Sequence, residues 1–225
     1  KYSVKIPSTQ MTVRYRPFLV KEEKVLLLAM ESDDTNDIIL AILDTISACV
    51  ADNIDVKKLT TYDVEYLFTQ IRAKSVGETT NVNIECESCK EPNAVSIDIN
   101  SINVEGLDGI NYNVQLSPDM QLELKHPTYS DIFNDPTING EDTTETLFAM
   151  IRHSMKNLKT EDEIINLENE SSENLDEFIG SMNTEQFDKV RQFIDTVPVL
   201  QYDVEFDCKC GTHNKKELRG IQSFF

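Results

Sequence analysis

Two pairs of cysteines constrain this chain more than any other feature. Cys86 and Cys89 lie in "IECESCKEP", Cys208 and Cys210 in "EFDCKCGTH", and 118 residues separate Cys89 from Cys208. Alternating segments flank both pairs: Val82 and Ile84 before the first, Val95, Ile97 and Ile99 after it, and "VLQYDVEF" before the second. Period-two alternation around a polar turn predicts a hairpin. Two thiols at the tip of such a hairpin form a knuckle that presents half of a tetrahedral metal site. Zinc takes four such ligands at ~2.3 Å, and four sulfurs leave no open position for water, so the site would hold structure and do no chemistry. The expected ligands are Cys86, Cys89, Cys208 and Cys210, and the expected ion is a structural zinc.

Local details bear on this expectation in both directions. Gly211 directly follows Cys210 and suits a positive φ at the end of a knuckle. Against it, Cys208-x-Cys210 is one residue tighter than the usual C-x-x-C, which keeps unconnected free thiols open as a reading. The long separation exceeds that of a self-contained zinc ribbon, so the fold must bring distant strands together around an insertion. His213, His126 or His153 could each replace a thiolate, although four cysteines already complete the set. A redox disulfide at Cys86–Cys89 would need a helix after the pair, and a strand pattern follows instead. Cys49 falls on a helical apolar stripe and reads as a small buried hydrophobe.

Elsewhere the chain alternates between sheet and helix patterns. "YSVKI" and "MTVRY" around "PSTQ" predict an N-terminal β-hairpin, closed by "RPF" because Pro17 restricts Arg16 to extended backbone. A helix follows from Val20, with Val20, Leu27 and Leu28 or Met30 on one side. After "ESDDTND", Thr35 or Asn36 caps a second helix whose stripe runs Ile38, Ile39, Ile42, Leu43, Ile46 and Cys49 or Val50. Thr60 or Thr61 caps a third, with Val64, Leu67, Phe68 and Ile71 facing inward. "YNVQL" and "MQLELKHP" predict a strand pair turned at Ser117-Pro118. From Thr128 to Thr196 the pattern is helical, including "TETLFAMIRHSM", the short acidic "TEDEIINLEN" and "NTEQFDKVRQFIDTVP", the last capped at Asn183 or Thr184. The class is α+β, with residues 1–77 as hairpin plus helices, 78–127 and 197–225 as a zinc-ribbon-like β module, and 128–196 as a helical acidic insertion.

Charge narrows the function. Against 21 Lys plus Arg stand 40 Asp plus Glu, for a net charge of −19. Nucleic acid and anionic membranes gain affinity from cations, so such partners are disfavoured. Acid concentrates in 161–177, which carries eight carboxylates and no Lys or Arg. Basic residues gather toward the ends, at Lys5, Arg14, Arg16, Lys21 and Lys24 and at Lys209, Lys215, Lys216 and Arg219. The first residues carry no signal-peptide pattern, and no apolar run approaches the ~18–20 residues of a membrane span. A soluble protein of a reducing cytosol is expected. No G-x-S-x-G, G-x-x-x-x-G-K or H-E-x-x-H motif occurs, and the three histidines sit in no catalytic frame, so an enzyme is not expected. A zinc-stapled regulatory or nucleic-acid-associated binding protein remains the alternative to a structural role, although acid flanks the first knuckle.

The opening "IPSTQMTVRYRPFLVKEEKVLLLAMES" resembles the T-even-like phage baseplate hub and hub-assembly family, in which a "PS" turn, "RPF" and a "KEEK" helix occur together. The close, a cysteine knuckle followed by "LRGIQSFF", is similar too. This resemblance spans both ends and reaches about Ile99; the acidic middle carries none of it. It implies a non-enzymatic subunit or assembly factor of a contractile-tail baseplate hub, located in the virion and assembled in the host cytoplasm. Its partners would be other baseplate and tail proteins in a hetero-oligomeric assembly. Phe18, Phe224 and Phe225 are the apolar anchors that such partners would meet, unless they pack in the chain's own core.

Overall fold

The computed structural model describes residues 1–32, 34–138 and 143–224. Helix and sheet are mixed, as expected, and the chain divides into two compact units: Lys1–Leu107 with Pro198–Phe225, and Asp108–Val197. This differs from the division that the sequence suggested. The N-terminal helices and the cysteine hairpins form one unit because they share a core. Residues 108–127 go with the inserted segment because their strands pair there.

The first unit opens with strands β1 (Tyr2–Lys5) and β2 (Thr12–Tyr15), paired antiparallel. Ser8, in their turn, is latched to the third helix: its N–H donates to Asp63 Oδ1 at 2.9 Å and its hydroxyl to Asp63 Oδ2. Asp63 is fully buried and also closes the capping box with Thr60 at the start of α3 (Thr61–Ser75). Val64, Leu67, Phe68 and Ile71 of α3 are buried, as their spacing predicts.

The "RPF…KEEK" stretch has a mechanical role of its own. Arg16 donates to Glu22 Oε1 at 3.0 Å and to the Ala48 carbonyl at 3.0 Å. Glu22 in turn accepts the Leu19 N–H at 2.6 Å, a capping contact for α1 (Val20–Glu31). Arg16 first, helped by that N–H, holds the Glu22 carboxyl down at about 2 although burial opposes it. The pair ties the hairpin to α1 and to the end of α2 (Thr35–Cys49), where Cys49 is buried as expected. The cap of α2 is Asp34, which accepts the Asn36 N–H. The helix starts at Val20 as expected, but Val20, Leu27, Leu28 and Met30 are all exposed, and its covered face is a narrow one carrying Glu22 and Ala29.

The cysteine hairpins complete this unit. Strands β3 (Thr79–Glu85) and β4 (Pro92–Asp98) pair antiparallel, and β5 (Asn103–Glu105) leads out. After the insertion, β10 (Val199–Asp207) returns between β5 and β11 (His213–Arg219), all antiparallel. Ala73 of α3, Ile97, Ile99, Ile102, Leu200 and Phe224 form one buried cluster. The terminal basic residues are paired locally: Arg14 with Asp52, Lys215 with Glu205, Arg219 with Glu217.

The second unit is a four-stranded antiparallel sheet with helices. Its order is β6 (Asn113–Ser117), β7 (Met120–Leu124), β8 (Met155–Lys159), β9 (Ile164–Asn166). The acidic "TEDEIINLEN" is therefore the turn and last strand of a hairpin, not a helix. Thr160 and Glu163 close its turn, and Ile165 stands opposite Leu158, where β-branched side chains fit a pleated surface. The helices are α4 (Tyr129–Asn134), α5 (Thr144–Ser154), α6 (Ser172–Gly180) and α7 (Thr184–Asp195), the last with a capping box from Asn183 to Gln186. Leu122, Leu124, Ile151, Met155, Val190 and Phe193 are central to its apolar core. Among the described residues no helix is long and apolar enough to cross a membrane.

Candidate metal centre

Each knuckle is built by its backbone before any sulfur is considered. In the first, the Cys86 N–H donates to the Glu91 carbonyl at 2.9 Å and the Lys90 N–H returns to the Cys86 carbonyl at 3.0 Å. Lys90 occupies the left-handed region with φ 63°. In the second, the Cys208 N–H donates to Thr212 at 2.9 Å, the Gly211 N–H returns to Cys208 at 2.9 Å, and Gly211 has φ 90°. The two loops are one design differing by a single residue. Lys90 and Gly211 are equivalent, each two residues before the first residue of the returning strand. The missing residue is the one between the cysteines, which accounts for Cys208-x-Cys210 without loss of knuckle geometry.

The hairpins bring the four sulfurs together. Cys86 Sγ lies 3.7 Å from Cys210 Sγ and Cys89 Sγ lies 3.6 Å from Cys208 Sγ. All four are within 4.8 Å of one another. A tetrahedron with ~2.3 Å metal–sulfur bonds has edges of ~3.8 Å, so these separations fit one ion among four thiolates. Each knuckle gives one buried sulfur, Cys86 or Cys208, and one exposed, Cys89 or Cys210.

Electrostatics agree with a cation-binding cluster. N–H groups aimed at the sulfur, the Cys89 N–H foremost, pull the Cys86 thiol down to about 6 despite burial. Cys210 is lowered by the Thr212 hydroxyl and N–H. Cys89 is pushed up to about 12: the Glu91 N–H favours its thiolate, but desolvation and the sulfurs of Cys210, Cys208 and Cys86 outweigh it. Crowded sulfurs cannot all ionise on their own, and a bound cation removes that restraint.

Sequence reasoning missed Asn214. It is buried on β11, donates to Cys86 Sγ at 3.6 Å and to the Thr212 carbonyl at 3.0 Å, and accepts the Glu87 N–H at 2.9 Å. One amide thus bridges both knuckles and orients a ligand, as outer partners of metal sites do. Its only sequence signal is a polar residue where β11 turns inward.

The histidines weighed as substitute ligands lie elsewhere. His213 contacts Asp207 at 2.7 Å, His153 contacts Asp135 at 2.9 Å, and His126 stacks on Phe193 with ring centroids 4.9 Å apart. Of the three phenylalanines, Phe224 is fully buried in the first unit's core and is not a surface anchor. Phe18 is half-buried and lines an apolar groove of about 440 Å³ between the first unit's helices. Phe225 lies outside the described residues.

A protein-family model described as "T4 bacteriophage base plate protein" matches residues 1–225. No curated protein and no solved structure matched the chain.

Proposed function

Because the chain belongs to the family of T4 bacteriophage base plate proteins, we propose that it is a non-enzymatic subunit or assembly factor of the baseplate hub of a contractile tail. It acts through contacts with other baseplate and tail proteins in a hetero-oligomeric assembly formed in the host cytoplasm. A baseplate protein belongs to the virion tail; the hub is the finer placement, supported by the "PS" turn, "RPF" and "KEEK" combination at its start. The family match over the whole length carries the reading.

Within it, Cys86, Cys89, Cys208 and Cys210 hold one structural zinc, supported by sulfur separations that suit a tetrahedron. When bound, the ion supplies four bonds joining hairpins that the chain visits more than a hundred residues apart. The protein's part is to present the sulfurs from preset loops, lower the Cys86 thiol and fix it through Asn214. A site with its sulfurs saturated offers no place for a substrate.

Two measurements test this. Mass spectrometry of purified tails and of baseplate assembly intermediates should find the chain with other tail proteins in defined stoichiometry; absence from both would end the baseplate-hub reading. Elemental analysis of the purified chain should find one zinc per chain. Substoichiometric metal, with thermal unfolding indifferent to a strong chelator, would end the zinc reading.

A further inference from the structure

The second half of helix α1, the uninterrupted run VLLLAM from Val25 to Met30, is apolar on every side, yet its own chain covers little of it. Val20 is 80% exposed, Leu27 55%, Leu28 54% and Met30 49%. A helix that is hydrophobic all round is ordinarily buried, and a contiguous exposed apolar surface marks an interaction site. This one is not a scatter of single residues. Leu27 and Met30 continue into the groove that Phe18 lines, where α2 contributes Ile38 and Ile42 and α3 contributes Phe68. The groove runs between helices, which is the geometry that accepts a further helix by its apolar face.

Charge discriminates between occupants. A second copy would bring another −19 to the same surface, and net charge of that size opposes self-association. An anionic bilayer is opposed for the same reason. The charged residues that line the groove itself, Glu23 and Arg72, are one of each sign; close in the chain to its Met30 and Ile38, Glu31, Asp34 and Asp37 are exposed, with Lys21 and Lys24 toward the other end of α1. A complementary ligand is therefore apolar along its length and basic where it meets Asp34 and Asp37. We propose that the α1–α2 groove receives an amphipathic helix with a basic end from a different tail protein. This rests on the baseplate reading above and names the contact through which the chain joins the assembly.

The test uses a phage lacking this chain, complemented in the host by the parent or by variants of the full chain. Leu27→Glu with Leu28→Glu places charge on side chains that are already exposed, so melting should stay within about 3 °C of the parent. Plating should fall at least about 100-fold, as for charge forced into an interface centre. Ile164→Glu, an equally conspicuous exposed apolar residue at 66% on β9 of the second unit, should leave plating unchanged. A photo-crosslinking residue at Leu28 should join the chain to another tail protein, through a peptide carrying Lys or Arg. Parental plating by the doubly charged variant would overturn the proposal, as would equal loss from Ile164→Glu. So would a light-scattering dimer abolished by the Leu27 and Leu28 changes, a crosslink to a second copy, or flotation with phosphatidylcholine–phosphatidylglycerol vesicles. If the phage lacking the chain plates normally, the baseplate role itself falls; if it does not, and the doubly charged variant still restores plating, only the groove is excluded.

Discussion

The turn at residues 6–11 and the turn at residues 86–91 have the same backbone and different anchors. In the first, the Ile6 N–H donates to Met11 at 2.9 Å and the Gln10 N–H returns to Ile6 at 2.8 Å, with Gln10 at φ 59°. In the second, Cys86, Glu91 and Lys90 repeat the pattern with Lys90 at φ 63°. The first contains no cysteine. Loop conformation here is thus a property of the backbone, and metal is not needed to shape a knuckle. What differs is how each loop is fastened to the rest of its unit. Ser8 docks on the buried Asp63 carboxylate, a latch made of ordinary hydrogen bonds. The cysteine loop meets a second loop of like design through four clustered sulfurs, a latch that the proposed zinc would close.

The sharpest way to separate the two latches is to break the sulfur one. Cys86→Ser or Cys208→Ser should cost on the order of 5 kcal/mol, the scale of a lost structural zinc ligand, and the folded protein should fail to accumulate. Chelation of the parent should act in the same direction. Hydrogen exchange then localises the damage: protection should be lost first in β3, β4, β10 and β11, whereas the core around Leu122 and Phe193 keeps its protection. If both cysteine variants melt like the parent, the sulfurs are bystanders and the hairpins are held by the Ile97 and Leu200 cluster alone.

The hydrogen-bonded latch should be weaker and independent of metal. Asp63→Ala removes the acceptor for Ser8 and for the Thr60 hydroxyl at 2.6 Å, unfastening the turn from α3 and removing half of the capping box. Hydrogen bonds to a charged group and a helix cap together place the loss at about 3 kcal/mol. Zinc content should be unaffected and the loss should persist in chelator. A variant that sheds its zinc would mean the two latches are not separable.

The four-cysteine cluster was legible in the sequence, because cysteines are scarce and alternation on both sides of each pair announces a hairpin tip. The α3 core stripe was legible for a similar reason: Val64, Leu67, Phe68 and Ile71 repeat at helical spacing and are buried. Asn214 was not, since one amide on a strand has no spacing to betray it and its partners come from a loop 127 positions away. On α1 periodicity located the helix but not its cover: it marks a residue as apolar without saying what packs on it, and Leu27 and Leu28 lie bare. The unit boundary at Leu107 was hidden because strand pairing is non-local. "YNVQL" and "MQLELKHP" look alike wherever they pair, and only the partner β8 assigns them to the second unit. Acid density misled at 161–166, where Ile164 and Ile165 outvote their charged neighbours once β8 offers an edge.

The smallest expected effect tests whether the two turns truly share a conformation. A non-glycine residue at positive φ pays a steric cost that glycine escapes. Lys90→Gly should therefore stabilise the first unit by about 0.5–1 kcal/mol, while Gly211→Ala, the reverse change in the twin knuckle, should destabilise by a similar amount. Gln10→Gly should gain less than Lys90→Gly, because the Gln10 side chain donates to the Pro7 carbonyl at 2.7 Å and that bond is lost. Chemical denaturation with zinc held saturating reads all three on one scale. Opposite signs for Lys90→Gly and Gly211→Ala are what a common knuckle requires, since both residues fill its one left-handed position. Should Lys90→Gly destabilise instead, the Lys90 backbone is not held at positive φ in solution, and the likeness between the "PSTQ" turn and the cysteine turn is not what shapes the site.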